Sequence, residues 1–125
     1  MFLVLPQVKL VSCEQEVAHF EMLVEKPHCN LSGMLHGGMA ATLVDFYTCV
    51  LLSTAYDRRV LFASTELKTR FLGPAKMGDT ILMETRIIHA GRTLACAEMD
   101  ILDKATKKIL VQGTHTAFIV PDEGK

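Results

Sequence analysis

One stretch limits what this chain can become more than any other. From Met39 to Ala55 there is neither Gly nor Pro, and the run is far too long for a single strand. A polar, glycine-rich loop leads into it: Asn30-Leu31-Ser32-Gly33-Met34-Leu35-His36-Gly37-Gly38. The segment therefore reads as one long helix starting near Gly37 or Gly38. It is apolar on nearly all sides, the pattern of a fully buried helix. Only Asp45 interrupts it with a charge. A buried carboxylate is costly unless it is paired or put to use.

The rest of the chain reads as strands around that helix. Val8 to Val11 is short and rich in β-branched residues, Ser12 to Gln15 is turn-like, and Val17 to Val24 alternates loosely, which predicts an N-terminal hairpin. Pro27 to Gly33 is loop. After the polar exit Tyr56-Asp57-Arg58-Arg59, Val60 to Phe71 predicts a strand with Leu61, Ala63, Thr65, Leu67 and Thr69 on one face. Gly73-Pro74 and Lys76-Met77-Gly78-Asp79 break it. Thr80 to His89 and Thr93 to Leu102 alternate again across the tight-turn signal Ala90-Gly91. Asp103 to Lys108 is a charged loop, and Ile109 to Val120 is the last strand. The order predicts an α+β domain spanning residues 1–125, a largely antiparallel sheet with one helix on one face, its ends at 1–6 and 121–125 frayed. A helix apolar all round needs a sheet that curls about it, or a second subunit.

Composition narrows the function. A formal charge of −1 with no Lys/Arg block argues against a nucleic-acid surface. Cys13, Cys29, Cys49 and Cys96 are scattered, with no C-x-x-C, which predicts reduced thiols in an intracellular protein, cytoplasmic or mitochondrial. The apolar start at Met1–Pro6 lacks a basic leader and a cleavage site. No apolar run approaches a membrane span. His28, Cys29 and His36 fit no zinc spacing, so no metal is expected.

The run His36-Gly37-Gly38-Met39-Ala40-Ala41-Thr42-Leu43-Val44-Asp45, with Asn30 six residues before the histidine, resembles the signature of the hotdog-fold acyl-CoA thioesterases. The likeness is to their phenylacetic-acid-type branch, closest there to the eukaryotic members. Phe71 to Asp79, Gly91-Arg92-Thr93-Leu94-Ala95, Asp103 to Lys108 and Gln112-Gly113-Thr114-His115-Thr116 resemble its later segments in order. The similarity runs from about Val8 to Phe118. It implies a hotdog fold, a curved antiparallel sheet wrapped around the helix. It also implies homodimers that pair into tetramers, and hydrolysis of acyl-CoA to free acid and CoA without metal or cofactor.

The residues support that chemistry on their own terms. Thioester hydrolysis needs an activated water and a donor for the carbonyl oxygen. A helix N-terminus offers free N–H groups and partial positive charge, and Gly37 has no side chain to keep a carbonyl away. Asp45 suits a general base on water, or direct attack. Gly37 and Asp45 lie eight residues apart, ~12 Å along one helix, whereas reacting atoms meet at about 3 Å. The simpler geometry takes Gly37 from one subunit and Asp45 from its neighbour.

By resemblance, Asn30 joins the Gly37 amide in polarising the carbonyl, His36 braces the loop, and Ser64 helps Asp45 hold the water. The CoA tail would follow Glu66, Phe71, Pro74, Ala75 and Lys76, then His89, Ala90, Gly91, Arg92, Thr93 and Leu94, ending near Phe118. Lys76 and Arg92 are cations on turns, suited to phosphate. Each site residue also has a plainer reading: a paired Asp45, a capping His36, a turn-forming Asn30, an ordinary strand serine at 64. His19, His89 and His115 are expected to play no catalytic part. Phe46-Tyr47 and the basic pair Lys68 and Arg70 depart from the family pattern. A silent acyl-CoA or acyl-carrier binding module and a hotdog hydratase stand as rivals.

Overall fold

The computed structural model describes residues 7–121; segments 1–6 and 122–125, where frayed ends were expected, lie outside it. β1 (Val8–Glu14) and β2 (Val17–Leu23) form a hairpin, and a short 3-10 turn at Lys26–His28 precedes α1 (Gly37–Ser53). Then come β3 (Val60–Phe71), β4 (Thr80–Ala90), β5 (Leu94–Asp103) and β6 (Ile109–Pro121). The strand order is β1-β2-β4-β5-β6-β3, every neighbouring pair antiparallel. The link from β2 through α1 thus carries the chain to the far edge of the sheet, where β3 pairs with β6. α1 packs on β3, β4, β5 and β6. This is the hotdog arrangement, one helix held in a curved antiparallel sheet.

Strand alternation explains the core. Phe20 and Met22, Ile81 and Met83, Met99 and Ile101, and Val111 all point inward and are buried. They meet Ala40, Leu43, Val44 and Leu51 of the helix. Burying side chains of this size contributes about 1.5–3 kcal/mol each. Gly113 sets the depth of the helix. A Cβ there would lie 2.6 Å from both methyls of Val44, so only glycine lets α1 settle on β6.

Several expectations need correction. The first hairpin does not turn at Ser12–Gln15. β1 runs on to Glu14, and the turn is the two-residue Gln15-Glu16, both with positive φ (48° and 70°). Such a turn usually carries Asn or Gly, so its sequence signal is missing here. β6 continues to Pro121, paired with Val60. In β3 the register shifts between Ser64 and Glu66. This bulge breaks the alternation expected from Leu61 to Thr69. Phe62 and Ser64 sit opposite Ile119 and Ala117, while Leu67, Thr69 and Phe71 sit opposite His115, Gly113 and Val111; those β6 partners belong to its buried face. Both halves of β3 therefore face the helix. Finally, the described residues do not enclose α1. Phe46 is 48% exposed and Val50 is exposed beside it, and the Asp45 side chain is 50% exposed.

Candidate active site

The helix N-terminus is built by two interlocked loops. Asn30 Oδ1 accepts from the amides of Ser32 (2.9 Å) and Met34 (3.2 Å). Its carboxamide oxygen thus fixes the loop, while its NH2 has no acceptor among the described residues. Leu35 N–H donates to Ala75 O, Met77 N–H to Gly33 O, and His36 N–H to His28 O. His36 is the N-cap, and its Nδ1 accepts from the Gly38 amide at 2.9 Å. A Cβ at Gly38 would crowd that ring at 3.0 Å. At Gly37 a Cβ would make only ordinary contact with Phe71, 3.5 Å from its ring. Nothing in this chain demands glycine at 37, and the Gly37 N–H has no acceptor among the described residues. A helix end of this kind favours a negatively charged oxygen.

Two turns down the helix, Asp45 meets β3 and β6. His115, completely buried, lies 3.7 Å from Asp45 Oδ1 through Nε2. The same nitrogen is 2.7 Å from Ser64 Oγ. Nδ1 is 2.8 Å from Thr48 Oγ1 and 3.8 Å from Cys49 Sγ. Burial holds the His115 pKa below its ordinary value, against the pull of the Asp45 charge. Burial and the same carboxylate push the Cys49 thiol up to about 11. Asp45, Cys49 and His115 carry ligand atoms within 4.8 Å of one another. Yet both ring nitrogens already face hydroxyls, and Cys49 stays a thiol near neutral pH. The cluster is set up for hydrogen bonding rather than for a cation.

The remaining candidates fall into two groups. Phe71, Pro74 and Lys76 lie beside the Gly37 end. His89 to Leu94 and Phe118 lie at the other end of the β3–β6 ladder, where Leu94 sits opposite Phe118 and Phe118 opposite Ala63. Tyr56 OH donates to Gly91 O at 2.7 Å and fixes that turn. Eight residues of β3 separate Ala63 from Phe71, ~26 Å of strand. Lys76 and Arg92 are both exposed, without an ion pair among the described residues. Glu66 sits opposite Thr116 on the outer face, just past the bulge. Ala75 is different: its side chain is buried in the core, so it cannot meet a nucleotide, and only its backbone carbonyl takes part in the loop. The unexpected basic pair Lys68 and Arg70 lines an outer-face groove of about 260 Å³ shared with Arg86, Glu98 and Asp100.

His115 was expected to be idle and instead sits at the centre of the Asp45 cluster, with Thr48 and Cys49. The clue available in the sequence was parity. Gly113, His115 and Ala117 share the inward face of β6, and an inward histidine needs partners.

Among known proteins, a family model described as thioesterase superfamily matches residues 32–110. Acyl-coenzyme A thioesterase 13 of Mus musculus is 40% identical over 116 residues, covering 93% of this chain and 82% of that protein. The crystal structure of zebra fish thioesterase superfamily member 2 superposes with a TM-score of 0.83 at 36% identity, covering 89% of this chain and 80% of that one. The structure of smu.793 from Streptococcus mutans, bound to acetyl CoA, gives 0.82 at 25% identity, covering 96% and 94%.

Proposed function

The chain belongs to the thioesterase superfamily, and from that premise we propose that it hydrolyses acyl-CoA thioesters to a free carboxylic acid and CoA. One observation carries the reading. A half-exposed carboxylate, Asp45, stands beside the Ser64 hydroxyl at a buried neutral imidazole, with no Lys or Arg paired to it among the described residues. A carboxylate left unpaired next to an orienting hydroxyl is suited to take a proton from water.

In this mechanism the thioester carbonyl oxygen is held by the Gly37 N–H and the Asn30 NH2. Water, held by Asp45 and Ser64, attacks the carbonyl carbon and gives its proton to Asp45. The tetrahedral intermediate collapses by breaking the C–S bond, and the departing CoA sulfur takes the proton back. The Gly37 amide and Asp45 belong to one helix and are too far apart to meet at one carbon, so each site takes Gly37 from one subunit and Asp45 from another. The same holds for the nucleotide. Lys76 and Arg92 lie at opposite ends of β3–β6, and a CoA tail that meets both spans two copies, in a dimer or a dimer of dimers. None of these steps calls on a cofactor.

A hydratase reading is disfavoured by the histidines: His36 Nδ1 is spent on the Gly38 amide, and His115 is enclosed. No helix of the described residues is long and apolar enough to cross a membrane.

The test is CoA release from a panel of acyl-CoAs, followed with a thiol reagent, for wild type and Asp45→Asn. Loss of general-base help should cut kcat about 10²–10⁴-fold. Unchanged release from Asp45→Asn would sink the mechanism. No release at any chain length would favour a silent acyl-CoA binding module.

A further inference from the structure

Hydrogen bonds at Thr48 fix which way the proton points at Ser64. Thr48 Oγ1 lies 2.6 Å from Val44 O and 3.1 Å from Asp45 O. A hydroxyl has one hydrogen, and a carbonyl oxygen only accepts. That hydrogen is therefore committed to the helix backbone, the usual back-bond of a threonine inside a helix. The remaining 2.8 Å contact of Thr48 Oγ1, to His115 Nδ1, then works only if Nδ1–H donates. The ring is fully buried, and burial disfavours its charged form. A neutral imidazole protonated at Nδ1 has a bare lone pair at Nε2. Ser64 Oγ, 2.7 Å away, must donate to it.

We propose that His115 is a positioning residue: held as the Nδ1–H tautomer by Thr48, it draws the Ser64 proton inward and leaves Ser64 only lone pairs to offer the attacking water. The inference rests on the hydrolytic reading above. Its value is directional. A nucleophilic water must keep a lone pair aimed at carbon, so its two hydrogens should go to its two holders. Asp45 can only accept. Ser64 could otherwise donate to the water and tie up the attacking pair. With its proton spent on Nε2, Ser64 accepts too, and the water is left with its lone pairs for the carbonyl. Thr48, His115 and Ser64 thus form a chain of donors running from water to the α1 backbone. It starts from water and Ser64, passes through His115 and Thr48, and ends at Val44 O.

Two measurements test this. The first needs no substrate: ¹⁵N NMR of histidine-labelled protein, which distinguishes the ring nitrogens. Wild type should show His115 protonated at Nδ1 with a bare Nε2, and Thr48→Val, near in shape, should lose that single tautomer. A wild-type ring protonated at Nε2 overturns the inference. The second is a kinetic cycle. Ser64→Ala and His115→Gln should each lower kcat about 10–100-fold with KM little changed. The double variant should be no slower than the slower single one, because His115 acts only through Ser64. Multiplied losses overturn the inference, as does an acyl group trapped on Ser64, which would make the serine a nucleophile. The two readings fail separately. Hydrolysis with an Nε2–H ring removes this inference alone. An Nδ1–H ring in a protein that releases no CoA removes the hydrolytic reading, and the positioning role with it.

Discussion

A neutral, sealed histidine has a thermodynamic signature of its own. The His115 pKa is lowered from 6.5 in the folded chain, mainly by burial. The folded state therefore binds fewer protons than the unfolded state below about pH 6.5, and stability rises with pH through that window. His115 adds full stability above pH 6.5 and loses it as pH falls through the lowered value. Melting curves from pH 8 to 5 should show wild type falling more steeply below pH 6.5 than His115→Gln; parallel curves would count against a neutral ring. Legibility differs sharply between residues here. Asp45 was visible because it breaks an apolar run. His115 was not, because its partners Ser64 and Thr48 lie 51 and 67 residues away and touch it only once β3, β6 and α1 are assembled. Asn30 and His36 could be read from their own neighbours, since an Asx turn and an N-cap are local events.

Elements carry a different kind of information. The strands β4, β5 and β6 follow their alternation over most of their length and slip only at the register shifts between Ile87 and His89 and between Ile101 and Leu102, because one face of each is buried and period two is then enforced. β3 could not be read that way. Its bulge keeps Ser64 and Leu67 on one face despite their odd spacing, and nothing in Ser64-Thr65-Glu66 announces it. The contact of α1 with β6 is equally silent in sequence, since Val44 and Gly113 are simply a valine and a glycine until they meet. Gly113→Ala should cost about 1–3 kcal/mol by overpacking, read by urea or thermal unfolding. Val44→Ala removes both methyls that clash, so adding it to Gly113→Ala should cost less than the sum of the two single changes. Simple additivity would mean that the helix height is set elsewhere.

As a whole, one copy of the chain leaves large apolar side chains open to solvent. Phe46 and Val50 on α1, and Leu61, Leu67 and Phe71 on β3, are exposed, and among the described residues β3 pairs with β6 alone. Large apolar groups on an open helix face and edge strand call for a cover. A second copy also supplies what the proposed mechanism lacks, a Gly37 to face each Asp45. Mixing Asp45→Ala with Gly37→Val, each inactive alone, should restore about a quarter of wild-type activity through mixed two-fold dimers. No recovery after confirmed subunit exchange would count against shared sites. The shape of the long helix, with an amide at one end and a carboxylate two turns on, also has a genetic meaning. With the sites shared as proposed, a copy altered only at Asp45 spoils one site in a mixed pair and spares the other, so its harm scales with dose. A copy altered at both Gly37 and Asp45 spoils both sites of every pair it joins. Under that sharing, the same helix turns two lesions whose harm only scales with dose into one that also disables its partner when they fall on a single allele.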